Sequence, residues 1–361
     1  MKRLFLAALP LVCLTDTVAA QGDNPSREDV DALVEPYVGK DAPGIAVLVM
    51  RNGEILHMKG YGQADTEADV PVDVDPVFDL ASLSKQMTDM ALMLLIDKSL
   101  AKEGVLLKDV LPAFKSQDTG ERDLTIGDLV HHVSGLPDYA SAGFDYKPES
   151  TNDEVIAWLV EQPLVRPPGT EFEYSNSGYV VLANVIAALD GKDSLADVLR
   201  GRIWGPLGMG STNLITPAEG VDPAKVTKGY SGTNGDFKES MVPSALEGDG
   251  EVLTTISDLA LYQAALDRNT LLDPDAIKRL CTTGTMDDGS PLKQKDGSGY
   301  GFGWNIVTDN GQDYCWHNGS WFGTSTAYVR NITKGQSVIV LSNGEDMSAT
   351  DLAFAIDGAV N

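Results

Sequence analysis

PVFDLASLSKQMTDMALMLLI, from Pro76 to Ile96, joins an extended run to a strongly apolar helical one. Pro76 to Ala81 reads as extended, Gln86 to Ile96 as helix, and Ser82-Leu83-Ser84-Lys85 lies at the junction. A serine there opens the helix, with a lysine one turn further along the same face. The helix start supplies unpaired N–H groups and a positive potential, and both favour an oxyanion beside the serine. A lysine three residues on can hold or accept the serine proton. This geometry can make an acyl-enzyme.

The four-residue pattern carries little weight by itself. It recurs as Ser99-Leu100-Ala101-Lys102, near the end of the same helix, and as Ser290-Pro291-Leu292-Lys293, in a Gly/Asp-rich loop. Neither begins a buried helix. Standing alone, Ser82 is better read as an N-cap than as a nucleophile. Partners elsewhere in the chain must decide.

Working outward, Ser26-Arg27-Glu28-Asp29 reads as a capped helix start, continued by the stripe Val30, Leu33, Val34, Val38. Ile45 to Met50, the Asn52-Gly53 turn and Ile55 to Tyr61 form a hairpin signal. Tyr300 to Val307, Asp313 to Gly319, Thr324 to Asn331 and Gln336 to Ser342 read as further strands, and Ala349 to Ala359 as a last helix. A lone hairpin is barely stable. The economical arrangement is one antiparallel sheet built from both ends of the chain, covered by the terminal helices, with the middle inserted as a helical lobe. That middle carries a capping box at Thr125-Ile126-Gly127-Asp128, its helix expected to end at Ser134-Gly135, and a second at Thr255-Ile256-Ser257-Asp258.

Two segments qualify as partners of Ser82. PPGTEFEYSNSGY, Pro167 to Tyr179, puts Tyr174 and Asn176 on a loop before an apolar helix, Val180 to Leu189. A phenol near a lysine can act as base for the serine and later for water. An amide can hold a substrate carbonyl or the lysine. Trp316-His317-Asn318-Gly319-Ser320-Trp321-Phe322-Gly323 falls at a strand end, where Gly319 would let a substrate approach the backbone. The N–H of Ser320 would join that of Ser82 as oxyanion donor.

In that order, Ser82-x-x-Lys85, Tyr174-x-Asn176 and His317-x-Gly319 resemble the serine β-lactamase and penicillin-binding-protein superfamily, in its class C-type branch. LTIGDLVHHVSGLPDY (Leu124 to Tyr139), GPLGMGST (Gly205 to Thr212), LTTISDLALY (Leu253 to Tyr262) and YGFGW (Tyr300 to Trp304) resemble the same branch. The resemblance implies an α/β (α+β), β-lactamase/transpeptidase-like fold. Its five-stranded antiparallel sheet would be flanked by N- and C-terminal helices, with the helical lobe inserted. Residues 21–361 would form one such domain, with the α/β lobe at about 25–95 and 240–361 and the helical lobe at about 96–239. Ser82 would be the acylated nucleophile, Lys85 its proton partner and Tyr174 the general base. Asn176 would orient substrate, and His317, Gly319 and Ser320 would line the strand edge. No cofactor and no metal are implied.

One departure matters. The third motif in β-lactamases and D,D-peptidases of this superfamily usually begins with a lysine that attracts the substrate carboxylate, and here it begins with His317. Histidine is mostly neutral above about pH 7, so this anchor is expected to be weaker and to switch with pH. Trp316, Trp321 and Phe322 beside it make the site more apolar. Esterases and D-amino-acid peptidases of the branch have similar His-x-Gly segments. The expected substrate is therefore a small ester or an amide/D-peptide. The alternatives are a class C-type β-lactamase, a D-alanyl-D-alanine carboxypeptidase, or a non-enzymatic penicillin-binding sensor or scaffold.

The first twenty residues read as a secretory signal: basic Met1-Lys2-Arg3, apolar Leu4 to Leu14, then Val18-Ala19-Ala20 before a cut at Gln21. Val12 before Cys13 is not the small residue of a lipoprotein signal, so no membrane anchor is expected after cleavage. The destination would be a bacterial periplasm or the medium. Cys281 and Cys315 remain and can pair in such a compartment, though spacing alone does not bring them within bonding distance. A net charge of −26 repels nucleic acid and anionic lipid, so neither is an expected partner.

Other active-site patterns fail. Gly323-Thr324-Ser325-Thr326-Ala327 resembles a subtilisin-like nucleophile segment, but a strand pattern follows it, not a helix. No Gly-x-Ser-x-Gly is present. The chain has four histidines and no His-Glu-x-x-His, and His131-His132 on a helix would diverge by about 100°. That pair is expected to pack near the cleft.

Overall fold

The hairpin from the N-terminal part and the meander from the C-terminal part share one sheet, joined by pairing of Ile45–Arg51 with Gln336–Ser342 from Ile45↔Ser342 to Arg51↔Gln336. This computed structural model describes residues 25–39, 41–73, 75–214, 225–233 and 235–360. The expected signal segment, 1–20, lies outside the described residues. The strand order is Gly299–Tyr300, Asn305–Asp309, Gln312–Trp321, Thr324–Asn331, Gln336–Ser342, Ile45–Arg51, Glu54–Tyr61, antiparallel throughout. Asn52 and Gly53 both take positive φ, 52° and 80°, as the expected two-residue turn requires.

The fold is β-lactamase/transpeptidase-like, but the sheet has seven strands among the described residues where five were expected. The expected strand Tyr300 to Val307 is also broken at Gly301–Trp304. Gly303, with φ +72°, crosses the start of the buried helix there, and a Cβ on it would lie 2.6 Å from Gln86 Cα. Close contact with that helix interrupts the ladder.

Period-two alternation sorts the strand side chains onto two faces. Ile45, Val47, Val49, Ala327, Val329, Val338 and Val340 pack against the terminal helices Pro25–Val34 and Ala349–Ala359, through Val30, Val34, Leu352 and Ile356. Ala46, Leu48, Met50, Tyr328, Ile339 and Leu341 face the larger core, which contains the Lys85–Asp97 helix. Each large aliphatic side chain so buried contributes roughly 1.5–3 kcal/mol.

The Lys85–Asp97 helix is buried at every position from Lys85 to Leu95. Its polar members therefore need partners inside the protein. Thr88 Oγ1 donates to Gly248 O at 2.8 Å, and Asp89 Oδ2 accepts from Tyr179 O–H at 2.5 Å. The helix opened by Thr125 is shorter than expected: it spans Ile126–Val130, because His132 takes a left-handed φ of 55°. Thr255 caps Ile256–Asp267 as expected, but the buried Asp258 carboxylate accepts from Ser211 N and Thr212 Oγ1.

Candidate active site

Ser82 lies in a single 3-10 turn, Ala81–Ser84, that runs directly into the buried helix. Its hydroxyl accepts from Lys85 Nζ at 3.2 Å, which favours the nucleophile reading over the cap. Lys85 is fully buried. Its Nζ also donates to Asn176 Oδ1 at 2.9 Å and to the Asp249 main-chain oxygen at 2.5 Å. Three acceptors match the three donors of a lysine head group and offset its desolvation.

Asn176 is the first residue of a helix, Asn176–Asp190, and not a loop residue as expected. Ser175 is the cap, its hydroxyl accepting from Gly178 N at 3.2 Å. Asp138 Oδ2 accepts from the Asn176 N–H. With Oδ1 committed to Lys85, the Asn176 NH₂ group is left as a donor for a substrate carbonyl. Tyr174 stands just before the cap, 37% exposed, with its ring centroid 4.9 Å from Lys85 Nζ.

The ring of His132 backs Tyr174 at 4.4 Å between centroids, and its Nδ1 accepts from Ser175 N at 3.0 Å. His131 caps the end of the preceding helix and His132 lies beyond it, so the two do not share a helix. His131 instead bonds Glu103 at 2.9 Å.

His317 is where the sequence expectation fails. Its side chain is 1% exposed and points inward from the strand. Nδ1 donates to Asn318 O at 2.7 Å, so Nε2 is the acceptor for Tyr300 O–H at 3.1 Å. Burial, with the Lys85 charge adding to it, pushes the imidazole down to about 3. The histidine is neutral across the ordinary pH range and is not a pH-switched carboxylate anchor.

Gly319 also has a different role from the one expected. A Cβ there would overlap the Leu80 carbonyl oxygen and Thr326 Oγ1, so what approaches its backbone is the turn bearing Ser82. Ser320 is exposed on the next position of the strand. The Asn305–Asp309 strand pairs with Gln312–Trp321 only as far as Trp316, which leaves His317 to Trp321 without a strand neighbour on that side among the described residues. An extended substrate can add to this edge. Trp321 Nε1 donates to Val242 O at 2.8 Å, which fixes the indole against Tyr146 and Phe322, with ring centroids 6.4 and 5.1 Å away. Phe322 is 49% exposed.

Asp138, Tyr139, Asp249 and Tyr300 serve this site without having been singled out from the sequence. Tyr139 O–H donates to Asp249 Oδ2 at 2.7 Å. Burial raises the Asp249 carboxyl, against the pull of Lys85. The LPDY and YGFGW segments pointed towards Asp138, Tyr139 and Tyr300, but the Asp249 contact uses a main-chain oxygen and leaves no trace in residue type.

This arrangement of sheet, buried helix and serine–lysine pair is that of β-lactamase/transpeptidase-like serine hydrolases. The Beta-lactamase family profile matches residues 30–360, and the chain belongs to that family. It is similar to penicillin-binding protein 4* of Bacillus subtilis (strain 168), 28% identical over 342 residues, which cover 89% of this chain and 72% of that protein. A D-aminopeptidase of Brucella anthropi is 27% identical over 329 residues, covering 87% of this chain and 58% of that one. The fold is also that of the octameric penicillin-binding protein homologue from Pyrococcus abyssi, with a TM-score of 0.79 at 24% identity, covering 91% of this chain and 75% of that one.

Proposed function

We propose that the protein is an exported serine hydrolase that forms an acyl-enzyme at Ser82 and acts on a small ester or amide/D-peptide. The observation that carries this reading is Lys85 Nζ held between Ser82 Oγ and Asn176 Oδ1. With Tyr174 as general base beside the charged Lys85, the serine proton passes to the phenolic oxygen as Oγ attacks the substrate carbonyl carbon. The N–H groups of Ser82 and Ser320 receive the oxyanion. Collapse breaks the bond to the leaving group, which takes up the proton. Water then attacks the acyl carbon, and the serine regains its proton.

The neutral, buried His317 supports a substrate that needs no carboxylate anchor at this position. The aromatic rim of Tyr146, Trp321 and Phe322 supports an apolar group on the acyl or leaving side. The name of the D-aminopeptidase relative fits such a substrate. Export is supported by the reading of residues 1–20 and by the Cys281–Cys315 disulfide, a bond of oxidising compartments.

The test sets a short-chain p-nitrophenyl ester, a D-alanyl peptide and nitrocefin side by side, each followed by intact-mass measurement. Rapid turnover of the ester or the peptide is expected, with little of nitrocefin. A persistent adduct without turnover would make the protein a penicillin-binding sensor. Undiminished turnover by Ser82→Ala would remove Ser82 as the nucleophile.

A further inference from the structure

Ala81, the residue immediately before Ser82, has φ +47°, in the left-handed region that alanine rarely occupies. Such strain persists where the surroundings hold it, and it clusters at functional sites. Its neighbours are fixed from outside the turn. Thr324 Oγ1 donates to Asp79 O at 3.0 Å, Thr326 Oγ1 to Leu80 O at 2.8 Å, and Leu80 N to Val252 O at 2.9 Å. The Ala81 N–H itself goes to the Asp79 side chain, Oδ1, at 2.8 Å. This carboxyl is partly buried with no cation bonded to it among the described residues, and burial pushes it up to about 6.

We propose that Asp79 is a positioning residue for Ser82, its carboxyl oxygen holding Ala81 in the left-handed conformation that sets the serine hydroxyl against Lys85. The inference rests on the reading of Ser82 as the acylated group. An acceptor two residues upstream closes an Asx-type turn, which asparagine supports as well as aspartate does. Glycine at position 81 would take the same φ without strain. Asp79 therefore compensates for a side chain at a position where glycine would need no help.

The experiment compares acylation kinetics with a p-nitrophenyl ester in Asp79→Ala, Asp79→Asn and the double variant Asp79→Ala/Ala81→Gly. Misplacement of a reacting group by an ångström costs roughly 100-fold, so Asp79→Ala is expected to lower kcat by about 10- to 100-fold with KM little changed. Asp79→Asn recovers most of that loss by supplying the same acceptor. Ala81→Gly in the Asp79→Ala background is expected to restore the rate to within about threefold of wild type, because the strain is gone. A merely structural role would lower the melting temperature without a kcat-selective loss and without rescue by glycine.

If Asp79→Ala keeps the wild-type kcat, or if the folded double variant stays as slow as the single one, the proposal is overturned. Where Asp79→Ala does not fold, the double variant alone decides: folded and active supports the proposal, folded and inactive overturns it, and unfolded overturns it by making Asp79 a folding residue. Ser82→Ala separates this outcome from the underlying reading. A fully active Ser82→Ala variant sinks the nucleophile assignment, whereas an inactive one beside an unaffected Asp79→Ala sinks only the role of Asp79.

Discussion

Gly319 packs against the Leu80 carbonyl so closely that a β-carbon has no room between the strand and the turn that carries Ser82. The contact sets the distance between the open strand edge and the serine, and Thr326 Oγ1 bonds the same carbonyl from the neighbouring strand at 2.8 Å. Gly319→Ala must push the two apart. Overpacking of this kind costs about 1–3 kcal/mol, and the displaced edge should lower kcat/KM by roughly 100-fold. Thermal unfolding and ester hydrolysis measure the two effects. A variant within twofold of wild type in both would show that the contact has slack.

Lys85 cannot be replaced by a neutral side chain without consequences at three acceptors. Lys85→Met removes the donor to Ser82 Oγ and leaves Asn176 Oδ1 and Asp249 O without it. A loss of about 1000-fold or more in acylation is expected, as for a group that acts as a unit with its nucleophile. Each unsatisfied buried acceptor adds a stability cost of roughly 1–3 kcal/mol. Stopped-flow burst amplitude with an activated ester, alongside urea unfolding, separates the chemistry from the folding. A burst at the wild-type rate would show that acylation does not need Lys85.

His317 makes a prediction about acid. Its folded pKa of about 3 lies below the ordinary histidine value, so the unfolded chain binds the proton more readily between the two. Its contribution is fully present above about pH 6.5 and is lost as pH falls, by about 1.4 kcal/mol per pH unit. Buried His132, lowered for the same main reason, acts in the same direction. Between pH 6.5 and 5, the wild-type protein should lose about 2 kcal/mol that His317→Gln does not lose. Urea unfolding at both pH values reads the difference, and equal losses in the two proteins would mean that His317 titrates normally in the fold.

Much of this was legible from residue pattern. The apolar run Ile45 to Met50 and the Asn52-Gly53 turn mark the N-terminal hairpin, and turn residues likewise set off the C-terminal strands Thr324–Asn331 and Gln336–Ser342, which are buried at every position. Ser82 and Lys85 stand out because an extended run meets a buried helix there. What stayed hidden depends on the partner across space. The state of His317 is set by burial and by Tyr300, seventeen residues away in sequence. The early end of the helix at Val130 follows from His132 turning its ring to Ser175. Lys85 is held by a main-chain oxygen, that of Asp249, and a main-chain acceptor has no residue signature.

The cysteines, too, could only be paired in three dimensions. Cys281 caps the Pro274–Leu280 helix and Cys315 is fully buried in the Gln312–Trp321 strand, with Cα atoms 5.8 Å apart and the sulfurs bonded. The bridge closes a loop with a sequence separation of 34 and ties a helix to the strand that presents His317 two residues later. Chain entropy alone assigns a loop of this size about 4 kcal/mol of stabilisation. Cys281→Ser/Cys315→Ser should therefore unfold at distinctly lower urea, and reductant should move the wild-type midpoint towards that of the variant. The variant's midpoint should not respond to reductant at all. Thiol titration of the unfolded, non-reduced protein completes the test. Free thiols at Cys281 and Cys315 in protein prepared without reductant, or a wild-type midpoint indifferent to reductant, would rule the bridge out as a stabilising element.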